Sequence, residues 1–233
     1  MAFRSTLFVL LTLASAASLA AETSYQWTFN DQPGTALTKV GGPVSWSNDL
    51  DQTATTGRGT LRIRRGHSTT PNTFAPLPAA WAQQPLWLVV RVRGWNLSGK
   101  SPELVRLGFS SSDHEKTPSV VAQIKIARED DAVRLSAEAT GGGTNLAPVA
   151  LRGAISNRTV IVVLHLDPGA RTYDVNFRIE GASWQQLGAG TIADGRAPQF
   201  LRLGVSGPFD TKRAEYFDLD DLLVTTVKPA DLP

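Results

Sequence analysis

The chain has 233 residues, 23 Lys and Arg against 21 Asp and Glu, and no cysteine. Near-balanced charge without a basic run or basic–aromatic interleave argues against a nucleic-acid binder, and the missing cysteines exclude a small disulfide-stapled domain. All-β sandwiches of ~200–250 residues commonly form one domain, so residues 21–233 are expected to make a single all-β unit, a monomer in solution.

Met1-Ala2-Phe3-Arg4 is a positively charged start, followed by an apolar segment over 7–13 and a small-residue stretch over 14–21. Together these make a secretory signal peptide spanning residues 1–20, with Ser18 and Ala20 at the small positions that a signal peptidase reads. The product is expected to be secreted, extracellular or periplasmic. No later run approaches ~18 uninterrupted apolar residues, so no membrane span is expected.

Residues 25–29 alternate aromatics on one face and stop at the turn cluster Asn30-Asp31-Gln32-Pro33-Gly34. Strands are then predicted over 36–40, 44–47 and 59–64. Residues 69–85 carry Pro71, Pro76, Pro78 and Pro85, too many for an interior ladder, and read as a long loop. Further strands are predicted over 86–94, 104–110, 120–127 and 132–139, with a short run near 149–151.

The most strongly patterned stretch is 158–179. Residues 159–166 are almost wholly apolar and β-branched, as in a central strand covered on both faces. Tyr173, Val175, Phe177 and Ile179 then alternate with Asp174, Asn176 and Arg178, one face dry and one wet. Asp167-Pro168-Gly169-Ala170 supplies the turn: Pro168 presets φ, Gly169 permits positive φ and Asp167 bonds its own backbone. Strands at 184–187, 200–205 and 214–226 complete the chain. Apolar residues recur at two rather than at three and four, which predicts a two-sheet antiparallel β-sandwich or barrel.

Trp27-Thr28-Phe29-Asn30-Asp31 with Pro33-Gly34, the hairpin Val162 to Phe177, and Glu215-Tyr216-Phe217-Asp218-Leu219-Asp220-Asp221-Leu222-Leu223-Val224 fall in an order that resembles concanavalin A-like (LamG-like) jelly rolls of exported bacterial proteins. The resemblance implies that the first and last strands lie together in one sheet. It leaves function open, since lectins, glycosidases, lyases and adhesive modules share this fold.

Phe217 and Leu219 share a face that Leu222 and Val224 rejoin only if one residue is extra, which predicts a β-bulge at Asp220-Asp221. Asp218, Asp220 and Asp221 then either bond loop amides at a sandwich corner or, with Asn30 or Asp31, supply hard oxygens to a structural Ca²⁺.

Paired carboxylates in the E-x-D-x-x-E spacing of retaining glycosidases on this fold are absent. Gly204-Val205-Ser206-Gly207 is one residue short of a nucleophile elbow, and His67, His114 and His165 share no zinc spacing. Gln123-Ile124-Lys125 is similar to the Q-I/V-H triplet of alginate-lyase-like jelly rolls, with Lys where that family has His. Arg91, Arg106, Gln123, Lys125, Asn176 and Arg178 are therefore predicted ligand-binding residues, forming one groove for a polysaccharide or other glycan if they share a sheet face. The competing reading divides them over two outer faces. Trp46, Trp81, Trp95 and Trp184 are candidate sugar platforms at strand ends, whereas Trp27 and Trp87 are expected to be packed. The leading functional reading is a non-catalytic carbohydrate-binding or cell-surface module. A lyase or hydrolase acting on an acidic polysaccharide and a purely structural protein are the alternatives.

Overall fold

The computed structural model describes residues 23–50, 53–64, 71–96, 104–114, 119–129, 132–151, 158–206 and 216–232. The predicted signal peptide lies outside them. In chain order the strands are β1 (Ser24–Trp27), β2 (Ala54–Thr55), β3 (Leu61–Ile63), β4 (Asn72–Pro76), β5 (Leu86–Asn96), β6 (Leu104–Ser110), β7 (Val120–Glu129), β8 (Ala132–Glu138), β9 (Asn145–Ala150), β10 (Val160–Asp167), β11 (Thr172–Ile179), β12 (Gln185–Thr191), β13 (Phe200–Ser206) and β14 (Tyr216–Thr225).

They form two antiparallel sheets packed as a sandwich. One is eight-stranded, in the order β12-β11-β10-β5-β14-β3-β2 with β1 also paired to β14; the other is six-stranded, β4-β13-β6-β7-β8-β9. Inward side chains of both sheets, among them Leu88, Val90, Leu107, Ile124, Leu164, Val175, Leu203 and Leu219, fuse into one core. No helix among the described residues is long and apolar enough to cross a membrane.

The 158–179 hairpin is central to the larger sheet: β10 pairs with β11 on one side and β5 on the other. Its outer face is covered too, because Ile161 and Val163 cluster with Val89 beneath Trp87, Trp184, Leu223 and Leu232. In the turn, Asp167 Oδ1 accepts from the Ala170 N–H at 2.9 Å. The left-handed residue is Arg171, with φ of 58°, rather than Gly169. The chain ends meet as expected, Tyr25 opposite Val224 and Trp27 opposite Leu222. Between Leu219, opposite Val92, and Leu222, opposite Val90, the closing strand carries one extra residue, so the bulge is present and returns Leu222 and Val224 to the core.

The loop predicted over 69–85 is in part β4, the edge of the six-stranded sheet. Pro71 and Pro76 stand just before the strand and at its last residue, where a missing N–H costs least. Residues 36–40 hold a 3₁₀ turn, Leu37–Lys39, in place of a strand. Two predicted sugar platforms are core residues instead: Trp46 and Trp81 are buried, Trp46 against Trp27 and Trp81 against Tyr25. Trp87, expected inside, lies half-buried on the outer face of the larger sheet, stacked on His165.

Candidate functional site

Strand pairing decides which predicted ligand residues meet. Asn176, Arg178 and Arg91 project from the outer face of the larger sheet, with Ile161 between the two arginines. Arg106, Gln123 and Lys125 project from the outer face of the other sheet, since their neighbours Leu107, Ile124 and Ile126 fill the core. The single groove expected over all six is therefore divided between opposite faces of the sandwich. Its physical reason is topological: β11 and β5 share one sheet, β6 and β7 the other.

On the six-stranded sheet, register aligns two rows across the strands. Phe74, Arg202, Gly108, Gln123, Glu138 and Asn145 form one; Asn72, Gly204, Arg106, Lys125 and Ser136 form the next. Hydrogen bonds link residues of four strands into a relay that passes over a fifth, β6. The Arg202 guanidinium donates to Asn72 Oδ1 through Nε at 2.9 Å and also through Nη2, and to Gln123 Oε1 through Nη1. The Gln123 amide donates onward to Glu138, whose other oxygen accepts from Lys125 Nζ at 2.7 Å.

Asn72, Gln123 and Arg202 are each only 2% exposed. Lys125, Glu138, Arg106 and Arg134 are partly open to solvent. The site thus has a buried amide–guanidinium base and a wet charged rim. Arg202, absent from the predicted ligand-binding residues, is the group that ties the rim to the edge strand; its signal was one arginine inside an otherwise apolar strand.

Two glycines make the relay possible. A Cβ at Gly204 would stand 2.6 Å from Asn72 Oδ1 and 2.9 Å from Arg202 Nη2. At Gly108 it would overlap the Ala122 carbonyl oxygen and the Gln123 backbone, which cannot swing away as a flexible side chain can. Gly108→Ala is accordingly expected to destabilise the fold by about 2 kcal/mol, the usual scale of overpacking. Gly169→Ala, in an exposed turn with negative φ, should change stability by less than about 0.5 kcal/mol. Denaturant melts of the two variants check the contrast.

Charge shapes the site as well. Among described side chains, this face holds Arg106, Lys125, Arg134 and Arg202 against Glu138, an excess of three positive charges. Burial lowers the pKa of Arg202 to about 10, the neighbouring Arg106 adds to the effect and Glu138 opposes it. For Glu138, burial works against ionisation, but the Lys125 and Gln123 hydrogen bonds and the charges of Lys125 and Arg106 outweigh it and hold the carboxyl below its ordinary 4.5.

The stability this lends is fully present above pH ~4.5 and is lost as pH falls through the lower folded value. Glu138→Gln should therefore flatten the acid limb of the melting temperature against pH. An unchanged acid limb would show that the rim carboxyl is not held this way.

The acidic residues proposed for Ca²⁺ each face a cation or a backbone donor. Asp218 is held bidentately by Arg62, at 2.7 Å from Nε and 2.6 Å from Nη2. Asp220 faces Arg93 and Asp221 faces Arg91, while Asp31 Oδ1 accepts the Gly41 N–H at 3.0 Å. No three His, Asp or Glu among the described residues are grouped so as to hold a metal ion.

The sequence matches no family model and no curated protein. The fold does match solved structures. The CBM2 module of the evolved Dit of Lactobacillus casei BL23 phage J-1 superposes with TM-score 0.60 at 13% identity, covering 89% of this chain and 98% of that one. Lectin II from Ulex europaeus gives 0.54 at 11%, covering 87% and 97%. A xylan β-1,4-xylosidase from Bacillus halodurans C-125 gives 0.54 at 13% over 86% of this chain, which spans 38% of that enzyme. With the two antiparallel sheets, these likenesses identify the architecture as a concanavalin A-like jelly roll.

Proposed function

We propose that the protein is a carbohydrate-binding sandwich, exported through the leader at residues 1–20, that holds an acidic polysaccharide along the outer face of its six-stranded sheet. The observation that carries this reading is the hydrogen-bonded row Asn72–Arg202–Gln123–Glu138–Lys125 with its excess of positive charge. A buried arginine costs stability, and proteins retain such groups where a site needs them fixed. The rim cations Arg106, Lys125 and Arg134 stand on successive strands, so a chain of carboxylated sugars crossing the strands meets one after another. Arg gives such carboxylates paired donors, and Lys a point charge. The carbohydrate-binding module and the lectin among the structural neighbours support the ligand class.

The test is retention of the mature protein in native gels containing alginate or pectate. Retention is expected to weaken with added salt, which screens a partly exposed rim. Migration unaltered by both polymers would sink the proposal.

Catalysis is the second reading, favoured by one feature: Gln123 and Lys125 lie together beside a buried guanidinium, a setting suited to a uronate carboxylate. Against it, the Lys125 amine is tied to Glu138, where a base must be free to take a proton. Accumulation of unsaturated product from the same polymers, lost in Lys125→Ala, would establish a lyase.

A further inference from the structure

The opposite face of the sandwich has a pocket of different chemistry. It measures about 630 Å³ and is lined by Arg91, Arg93 and Arg178, with Ile161 between Arg91 and Arg178, and by Thr159, Glu180 and Asp220. From this geometry we infer a second ligand site, one for an uncharged, hydroxyl-rich sugar.

The β-bulge is what builds it. By adding a residue to β14, the bulge turns two consecutive carboxylates, Asp220 and Asp221, toward two arginines spaced one strand repeat apart on β5. The pairs are not closed. Arg93 Nη1 stands 3.7 Å from Asp220 Oδ1 and Arg91 Nε stands 3.9 Å from Asp221 Oδ2, beyond the ~2.7–3.2 Å of a direct hydrogen bond. Arg62 and Asp218, on the same sheet, close to 2.6 Å.

Atoms this far apart leave no room for an oxygen on the line between them, but one seated beside the pair can reach both. A sugar hydroxyl fits that position chemically, accepting from the guanidinium while donating to the carboxylate. The Arg93–Asp220 pair lines the pocket and the Arg91–Asp221 pair adjoins it, so the two suit two hydroxyls of one ring, and Ile161, 6% exposed, adds a small apolar patch between Arg91 and Arg178.

Charge balance separates this pocket from the opposite face. The pocket lining holds three arginines against Asp220 and Glu180, and Asp221 and Asp231 stand beside Arg91 and Arg178 outside it, so each arginine faces a carboxylate and the excess of charge is smaller than on the opposite face. The third arginine is held ready: the Arg178 guanidinium lies 4.7 Å above the Trp184 ring and 3.5 Å from Asp231. Arg93 also donates a long 3.4 Å bond to the Arg58 carbonyl, yet its side chain remains 58% exposed.

The experiment uses the mature protein in native gels containing galactomannan, arabinoxylan, mixed-linkage β-glucan or dextran, with alginate alongside. Retention by at least one neutral polymer is expected, persisting at molar salt, where the screening length is ~3 Å. Arg91→Gln combined with Arg178→Gln should reduce neutral retention at least tenfold and leave alginate behaviour unchanged, which also shows that the variant folds. A circular dichroism melt matching the parent provides that control if alginate does not bind. Failure of all four neutral polymers to retard the protein, or neutral binding that survives the double substitution, overturns the inference. Neutral binding abolished by Lys125→Gln instead would assign every ligand to the six-stranded sheet and overturn it equally.

Discussion

Asn72→Leu is expected to destabilise the protein by about 3 kcal/mol, whereas Arg202→Met should leave it within about 1 kcal/mol of the parent. The two side chains are partners, so the asymmetry needs a reason. Removing Asn72 deletes the oxygen that accepts from both Nε and Nη2 of a guanidinium that is 2% exposed. The charge stays behind without that acceptor, and orphaning a buried ionised group costs the upper end of the usual range.

Removing the arginine takes the charge away as well. Because burial depresses the folded pKa of Arg202 to about 10, below its ordinary value, the fold disfavours its charged form at neutral pH. That cost fades only as pH rises through about 10, and methionine removes it at every pH. The loss of a donor to Asn72 and Gln123 works in the other direction, and the two effects are of similar size. Urea melts of both variants decide the matter. Equal destabilisation would mean that Arg202 is an ordinary stabilising partner and that its burial calls for no functional explanation.

The parts of the fold that were legible in the sequence are those written in short-range alternation. Tyr173, Val175 and Phe177 against Asp174, Asn176 and Arg178 gave one buried and one wet face without knowledge of a partner. The interrupted alternation at Asp220-Asp221 predicted its own bulge. What the sequence did not carry is which strands share a sheet. Arg202 bonds Gln123 across 79 positions and Asn72 across 130, because β13 inserts between β4 and β6.

No local pattern encodes that insertion, so the wet faces of β5, β6, β7 and β11 were legible one by one but not their division between two surfaces. Trp46 and Trp81 were misplaced for a related reason. A ring beside a turn, such as Trp46 or Trp81, has the same sequence neighbours whether it caps the core or faces water. Pro71 and Pro76 concealed β4 because proline is tolerated at the ends of an edge strand, and edge status is itself a property of the assembled sheet.

Arg106→Gln combined with Lys125→Gln is expected to weaken alginate or pectate binding at least tenfold. Each cation stands on the outer face of an interior strand, Arg106 on β6 and Lys125 opposite it on β7, so both meet the same segment of a bound chain. A charge-assisted hydrogen bond contributes ~1.5–3 kcal/mol where it is made, and partial exposure with screening reduces that to about 1 kcal/mol for each cation here. Two such losses give a factor of ten or more. The variant also takes the Lys125 cation from Glu138, leaving a carboxylate held by the Gln123 amide alone, which repels a polyuronate and adds to the loss. Glu138→Gln should act oppositely and tighten binding, because it removes the only acidic group of this face among the described side chains. Affinity gels run with all three proteins, at two salt concentrations, read both effects together. If the double variant binds as the parent does, or if Glu138→Gln binds more weakly, the acidic chain does not lie on this face.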